Sequence, residues 1–142
     1  MKRELIMISV IIALVIIGHA STQNYTSNFF EEIENNLSEL KEQILNTQNV
    51  QNASKQNGGN NESKKELIKE FEKIHKKWND KYNILAYYSE HDELEKIGTQ
   101  LAVINGYLEK EEYTHSSTEI DKTIFLLQHI RNKDNFRFIN IF

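Results

Sequence analysis

The chain has 142 residues, with 17 basic against 21 acidic side chains for a net charge of −4, and contains neither cysteine nor proline. That length suits one modest domain and excludes an enzyme with separate cofactor and substrate lobes. Without cysteine there are no disulfides, thiol nucleophiles or cysteine-ligated metal centres, and without proline, with only five glycines, long helices are favoured over a turn-rich sandwich.

The first element is the most informative. From Leu5 to Ile17 no residue is charged, and ten of the thirteen are Leu, Ile or Val. Together those ten favour insertion into a bilayer by roughly 3 to 6 kcal/mol. Residues 5 to 20 rise only about 24 Å as a helix, short of the ~30 Å hydrocarbon core. The uncharged continuation through Tyr25 to Phe30 makes up the difference, with Leu5, Ile12 and Ile17 in the span and Tyr25 as its interfacial anchor. Lys2 and Arg3 precede the run and no basic residue follows before Lys41, which predicts a cytoplasmic amino terminus and an extracytoplasmic remainder. An uncleaved signal anchor is the expectation. Cleavage after Gly18-His19-Ala20 and a buried soluble helix are the competing readings. His19 reads as an interfacial side chain, since an intramembrane ionisable group needs a partner.

Phe30, Ile33, Leu37, Leu40 and Ile44 follow at spacings of 3, 4, 3 and 4, an amphipathic helix with coiled-coil-like periodicity. The expected organisation is an anchor over 1–25, this helix over 26–45, a linker over 46–63 and a helical domain over 64–142. The Asn-, Gln- and Gly-rich linker has almost nothing to order it, and Gly58-Gly59 lacks the Lys-Ser/Thr partner of a phosphate loop.

Ser63 and Glu66 have capping-box spacing and predict a helix from Lys64, with Leu67, Phe71, Ile74, Trp78, Tyr82 and Leu85 inward. Seven lysines and five acidic residues between Glu62 and Lys81 leave only +2, so nucleic acid is not an indicated partner. The phase slips at Tyr87-Tyr88-Ser89, where Ser89 is the expected cap of a third helix carrying Leu94, Ile97, Leu101, Ile104 and Leu108; a bend and a continuous helix are both open. Gly106 and the stretch from Glu109 to His115 mark a turn. Ser116 and Glu119 repeat the capping-box spacing before Ile120, Ile124, Leu127 and Ile130, with Phe125 and Leu126 widening the apolar face. Asn132 to Asn135 is the expected end. The tail Phe136 to Phe142 reads as extended and apolar, and Phe136, Phe138, Ile141 and Phe142 are the candidate partner-binding residues.

Chemistry is sparse. His91 and Glu95 lie four apart on one helical face and, with His129 or Glu119 from a neighbour, are the candidate metal ligands. An acidic first helical turn needs no metal to explain it, and no cofactor is indicated. His75 and His115 sit among charges as solvated side chains, and the tyrosines with Trp78 suit packing with wet phenolic tips. No nucleophile–base pair or paired-carboxylate arrangement is present, so an enzyme is not supported. Residues 90 to 121 carry nine acidic groups and two lysines, so packing against the basic preceding helix is expected to set opposite charges side by side.

The amino-terminal anchor, the segment Trp78, Tyr82, Leu85, His91-Asp92-Glu93-Leu94-Glu95-Lys96-Ile97, Leu101-Ala102, Ile104 and Tyr107-Leu108-Glu109, then Phe125-Leu126-Leu127-Gln128-His129-Ile130 and the closing Asn140-Ile141-Phe142 resemble domain of unknown function family 4363. The resemblance covers nearly the whole chain and is strongest from Trp78 onward. It implies a small membrane-anchored helical protein of endospore-forming, low-GC bacteria, with an integral membrane protein as partner and no assigned reaction. Gln128 departs from the Glu expected before the histidine. The resulting expectation is an all-α protein, an amino-terminal transmembrane helix followed by an antiparallel bundle of three or four helices. Its expected work is as an accessory or scaffolding subunit at the cell membrane. A metal- or small-ligand-sensing domain is the alternative, and a self-associating homo-oligomer a third possibility.

Overall fold

A computed structural model describes residues 2–53 and 60–139. These form four helices and, among the described residues, no strand: α1 (Lys2–Ala53), α2 (Asn60–Leu85), α3 (His91–Glu109) and α4 (Tyr113–Ile139). Among the described residues each helix packs on the next in chain order and α4 closes back on α1, whereas the backbones of the diagonal pairs α1/α3 and α2/α4 do not approach closely. The result is an antiparallel four-helix bundle built on the second part of α1.

The 3/4 spacing of the apolar residues accounts for the core. Phe30, Ile33, Leu37, Leu40 and Ile44 of α1, Phe71, Ile74, Trp78 and Leu85 of α2, and Leu94, Ile97, Leu101, Ile104 and Leu108 of α3 are all buried, as the periodicity predicts. Trp78 is the largest fully buried side chain, stacked against Phe29 and Phe30 at centroid distances of 6.3 and 6.4 Å. Gly98 on α3 faces it: a Cβ there would lie 3.8 Å from the indole nitrogen, an ordinary contact. On α4, Ile120, Leu127 and Ile130 are buried and Ile124 is half-buried, while Phe125 remains 68% exposed.

Several boundaries differ from the sequence expectation. The 1–25 segment and the first amphipathic helix form one rod, as the lack of any breaker between them allows, but this α1 runs on to Ala53 and α2 begins at Asn60, so most of the expected 46–63 linker is helical and its centre, 54–59, lies outside the described residues. Ser63 and Ser116 are not caps, because α2 starts three residues before Ser63 and α4 starts at Tyr113. Ser116 is instead fully buried, a small side chain that lets α4 lie close to its neighbours. The cap of α3 is Glu90, whose carboxylate turns to Lys133 and makes no capping hydrogen bond to the helix, and Ser89 is buried in the turn, its N–H bonded to Leu85 O at 2.9 Å. This turn separates α2 from α3, which settles the open question of continuity in favour of a break. At the other end of the chain, α4 runs on to Ile139 through the segment expected to be extended.

The α3–α4 turn is shorter than the 109–115 stretch that the sequence suggests. Glu112 N–H bonds to Tyr107 O at 2.9 Å and Glu111 N–H to Leu108 O at 3.1 Å, the paired bonds of a Schellman motif. Its left-handed position belongs to Glu111, φ 60°, where glycine is usual. Gly106 lies inside α3 and is not the helix stop.

Candidate functional site

The apolar run of α1 stands clear of the bundle. Leu5, Ile6, Met7, Ile8, Val10, Ile11, Ile12, Leu14, Val15, Ile16 and Ile17 are each between 46% and 65% exposed. Consecutive residues turn by about 100°, so these side chains cover the full circumference of the helix and the bundle shields none of its sides. The bundle of this chain therefore does not bury the run, against the reading of it as a helix covered by the rest of the protein. Ser9 Oγ donates to Leu5 O at 2.9 Å, and Thr22 Oγ1 to Gly18 O at 2.8 Å, so these hydroxyls are satisfied by the backbone four residues earlier. Among the described residues no helix is long and apolar enough to cross a membrane. The thirteen residues from Leu5 to Ile17 rise only about 20 Å.

Where α1 enters the bundle, Tyr25 is partly exposed and the Lys81 ammonium lies over its ring, 5.5 Å from the centroid. The Tyr25 hydroxyl, through hydrogen bonding and charge, holds Lys81 above the usual lysine range. Tyr25 thus has a protein partner on α2 in addition to its expected place at the end of the anchor.

Polar side chains fix the helix seams. Along α1/α4, Glu34 meets Gln128 at 3.3 Å, Lys41 meets Asp121 at 2.6 Å and Gln48 meets Thr114 at 2.7 Å. Both sets of positions are spaced by seven residues in opposite directions, which defines an antiparallel register. Arg131 reaches Glu31 and the buried Glu34, each at 3.5 Å. At the α3/α4 seam Lys133 binds Glu93 at 2.8 Å and Glu90 at 2.9 Å, and these carboxylates raise its pKa. Opposite charges were expected to meet along α2 and α3. The lysines of α2 instead reach Glu32 on α1 and Glu111 in the α3–α4 turn, while α4 supplies Lys133 to the acidic start of α3.

The proposed metal ligands do not converge. His91 is exposed and its ring packs edge-on against Tyr82, with Nε2 3.4 Å from the phenol oxygen. Glu95 is exposed on α3, and His129 is exposed on α4. Among the described residues no group of three or more His, Asp or Glu side chains is placed to hold an ion. His75 lies against Phe71 and His115 stacks on Tyr107 at 5.3 Å, so these two are packed on neighbouring rings. An open groove of about 730 Å³ lies between α3 and α4, lined by residues that include Asp92, Glu95, Lys96, Val103 and Leu126. Of the tail residues expected to bind a partner, Phe136 and Phe138 fall within helical backbone whose side chains lie outside the described set, as do Ile141 and Phe142 altogether.

The seam ladder is the feature that the sequence reading missed. Its signal was present: Glu34, Lys41 and Gln48 recur every seven residues beside the apolar positions, as do Thr114, Asp121 and Gln128.

Comparison with curated proteins finds no match, and comparison with solved structures finds none either. A family model, described as a domain of unknown function, matches residues 57–141. That match takes in α2, α3 and α4 in full and leaves α1 outside it. On this match over more than half its length, the chain belongs to the DUF4363 family.

Proposed function

We propose that this protein is a single-pass, membrane-anchored subunit whose bundle lies on the extracytoplasmic side and serves as a non-enzymatic accessory or scaffold for an integral membrane partner. The observation that carries this reading is the simultaneous exposure of eleven large apolar side chains around every side of α1 between Leu5 and Ile17. Such a surface is stable only in an apolar surrounding. The uncharged stretch between Glu4 and Glu31 supplies the length that Leu5–Ile17 alone lacks, and Ser9 and Thr22 enter lipid with their hydroxyls already bonded to the backbone. Lys2 and Arg3 on one side, against no basic residue before Lys41 on the other, support a cytoplasmic amino terminus.

The scaffold reading rests on where the reactive side chains are spent. Tyr82 with His91, Tyr107 with His115, and Lys133 with Glu90 and Glu93 hold helices together. The α3/α4 groove, with Leu126 in its lining, the exposed Phe125 of α4 and the apolar tail 136–142 are the surfaces assigned to the partner. Topology is tested by fusing alkaline phosphatase or green fluorescent protein to Phe142 in the full chain. Phosphatase activity with a dark fluorescent fusion in the membrane fraction is expected. The converse pattern, or full-length chain in the soluble fraction, overturns the reading.

A further inference from the structure

We propose that the α2–α3 turn is seated in the headgroup boundary of the bilayer that holds α1, with Tyr87 and Tyr88 as its immersed side chains. This rests on the membrane-anchor reading and adds a second contact with the same lipid surface.

The two tyrosines lie at the turn, 83% and 52% exposed, beside Ile84 at 42%. Their rings are 6.5 Å apart, and the helices that they join bury their own apolar faces inward. Position gives this patch its occupant. Trp78 packs on Phe29 and Phe30, and Lys81 lies over Tyr25, so α2 runs antiparallel to α1 toward the apolar run. Continuing that register for one more helical turn sets residues 86–90 beside roughly residues 18–22 of α1, just beyond Ile17. If Leu5 sits at one edge of the ~30 Å hydrocarbon core, about twenty helical residues reach the other edge near position 24. The tyrosine turn therefore lies about 3–9 Å to the acyl side of that edge. A phenol ring suits that depth, with its apolar body in the acyl region and its hydroxyl in water.

The two ends of the bundle differ in the way that this placement requires. The distal α3–α4 turn consists of Lys110, Glu111 and Glu112, all exposed. At the tyrosine end Lys81 is engaged by Tyr25, and Lys133 by Glu90 and Glu93. With those cations already matched, the contact depends on aromatic partition and not on anionic lipid.

The absence of cysteine permits a single spin label at any chosen position. Full-length chains labelled at Asn83→Cys, Ile12→Cys or Lys110→Cys are reconstituted in phosphatidylcholine vesicles, and collision with oxygen is compared with collision with a water-soluble nickel chelate. The oxygen-to-nickel ratio at position 83 is expected to exceed that at position 110 by at least about threefold, as interfacial immersion demands. In the Y87S/Y88S background it falls to the value at position 110, and in Y87W/Y88W it is retained. A position 83 as wet as position 110, or one indifferent to Y87S/Y88S, overturns the proposal while an immersed position 12 leaves the anchor standing. A wet position 12 overturns both.

Discussion

Lys41 on α1 donates to both carboxylate oxygens of Asp121 on α4, at 2.6 and 2.7 Å, midway between the Glu34–Gln128 and Gln48–Thr114 contacts. Since all three rungs are seven residues apart, a slip of either helix by one turn breaks every one of them together. The ladder therefore selects register, while the apolar core supplies most of the stability.

Reversing one charge tests this division. K41E is expected to destabilise the bundle by up to about 1 kcal/mol, since Asp121 is largely exposed and such pairs contribute little. The swapped pair K41E/D121K restores the loss. Urea titration of the full chain in mild detergent measures both; a loss of several kcal/mol from K41E, or no recovery in the double variant, contradicts the assignment.

Glu111 gives a test of opposite sign. Its backbone is left-handed, φ 60°, at the glycine position of a Schellman motif. A side chain there costs roughly 1–2 kcal/mol, and the Lys64–Glu111 pair at 3.1 Å, still partly open to solvent, returns only part of that. E111G is expected to raise stability by up to about 1 kcal/mol, seen as a higher denaturation midpoint. A lower midpoint means that the Lys64 contact outweighs the strain.

The alkaline limb of stability depends on Lys133. Glu93 and Glu90 hold its pKa above 10.5, so the folded state retains the proton more tightly than the unfolded chain. Its contribution is complete below pH 10.5 and is lost as pH rises through the higher folded value. In K133M the midpoint at neutral pH drops and its fall above pH 10.5 becomes shallower; parallel curves for the two proteins exclude the linkage.

A charge in the middle of the apolar run probes the anchor. Exchanging Ile12, 54% exposed, for Arg shifts the insertion balance by about 3–4 kcal/mol against the membrane. I12R is therefore expected to move protein from the membrane pellet to the supernatant or into proteolysis, whereas a change at the exposed Asn83 leaves the distribution alone. Equal pelleting of I12R and wild type disproves lipid insertion of this turn.

Much of the bundle is readable from periodicity, because burial of one face of each helix dominates the energetics. Phe30 to Ile44 and Leu94 to Leu108 occupy the core where their spacing places them. Helix ends are less legible, since they depend on contacts far away in sequence. Ser63, Ser89 and Ser116 all have the local chemistry of caps, yet helix propagation and tertiary burial draw the helices past or away from them. Glu111 in a glycine role and the half-exposed face of Phe125 likewise follow from packing that no short window contains. The metal candidates His91, Glu95 and His129 illustrate the converse, as residues with suitable chemistry and spacing that the fold leaves ungathered.

Helix α1 runs from Lys2 to Ala53 without a break, about 78 Å end to end. Such a shaft couples its two ends: with no break in the helix between Ile17 and Phe30, rotation of the lower part is carried toward Phe30 and Ile33. The count of residues between Ile17 and Thr26, the first buried side chain among the described ones of the shaft, also sets a compass bearing. One inserted residue there shifts the bundle by only about 1.5 Å along the shaft but swings it by about 100°, turning the α3/α4 groove to a different bearing about the helix axis.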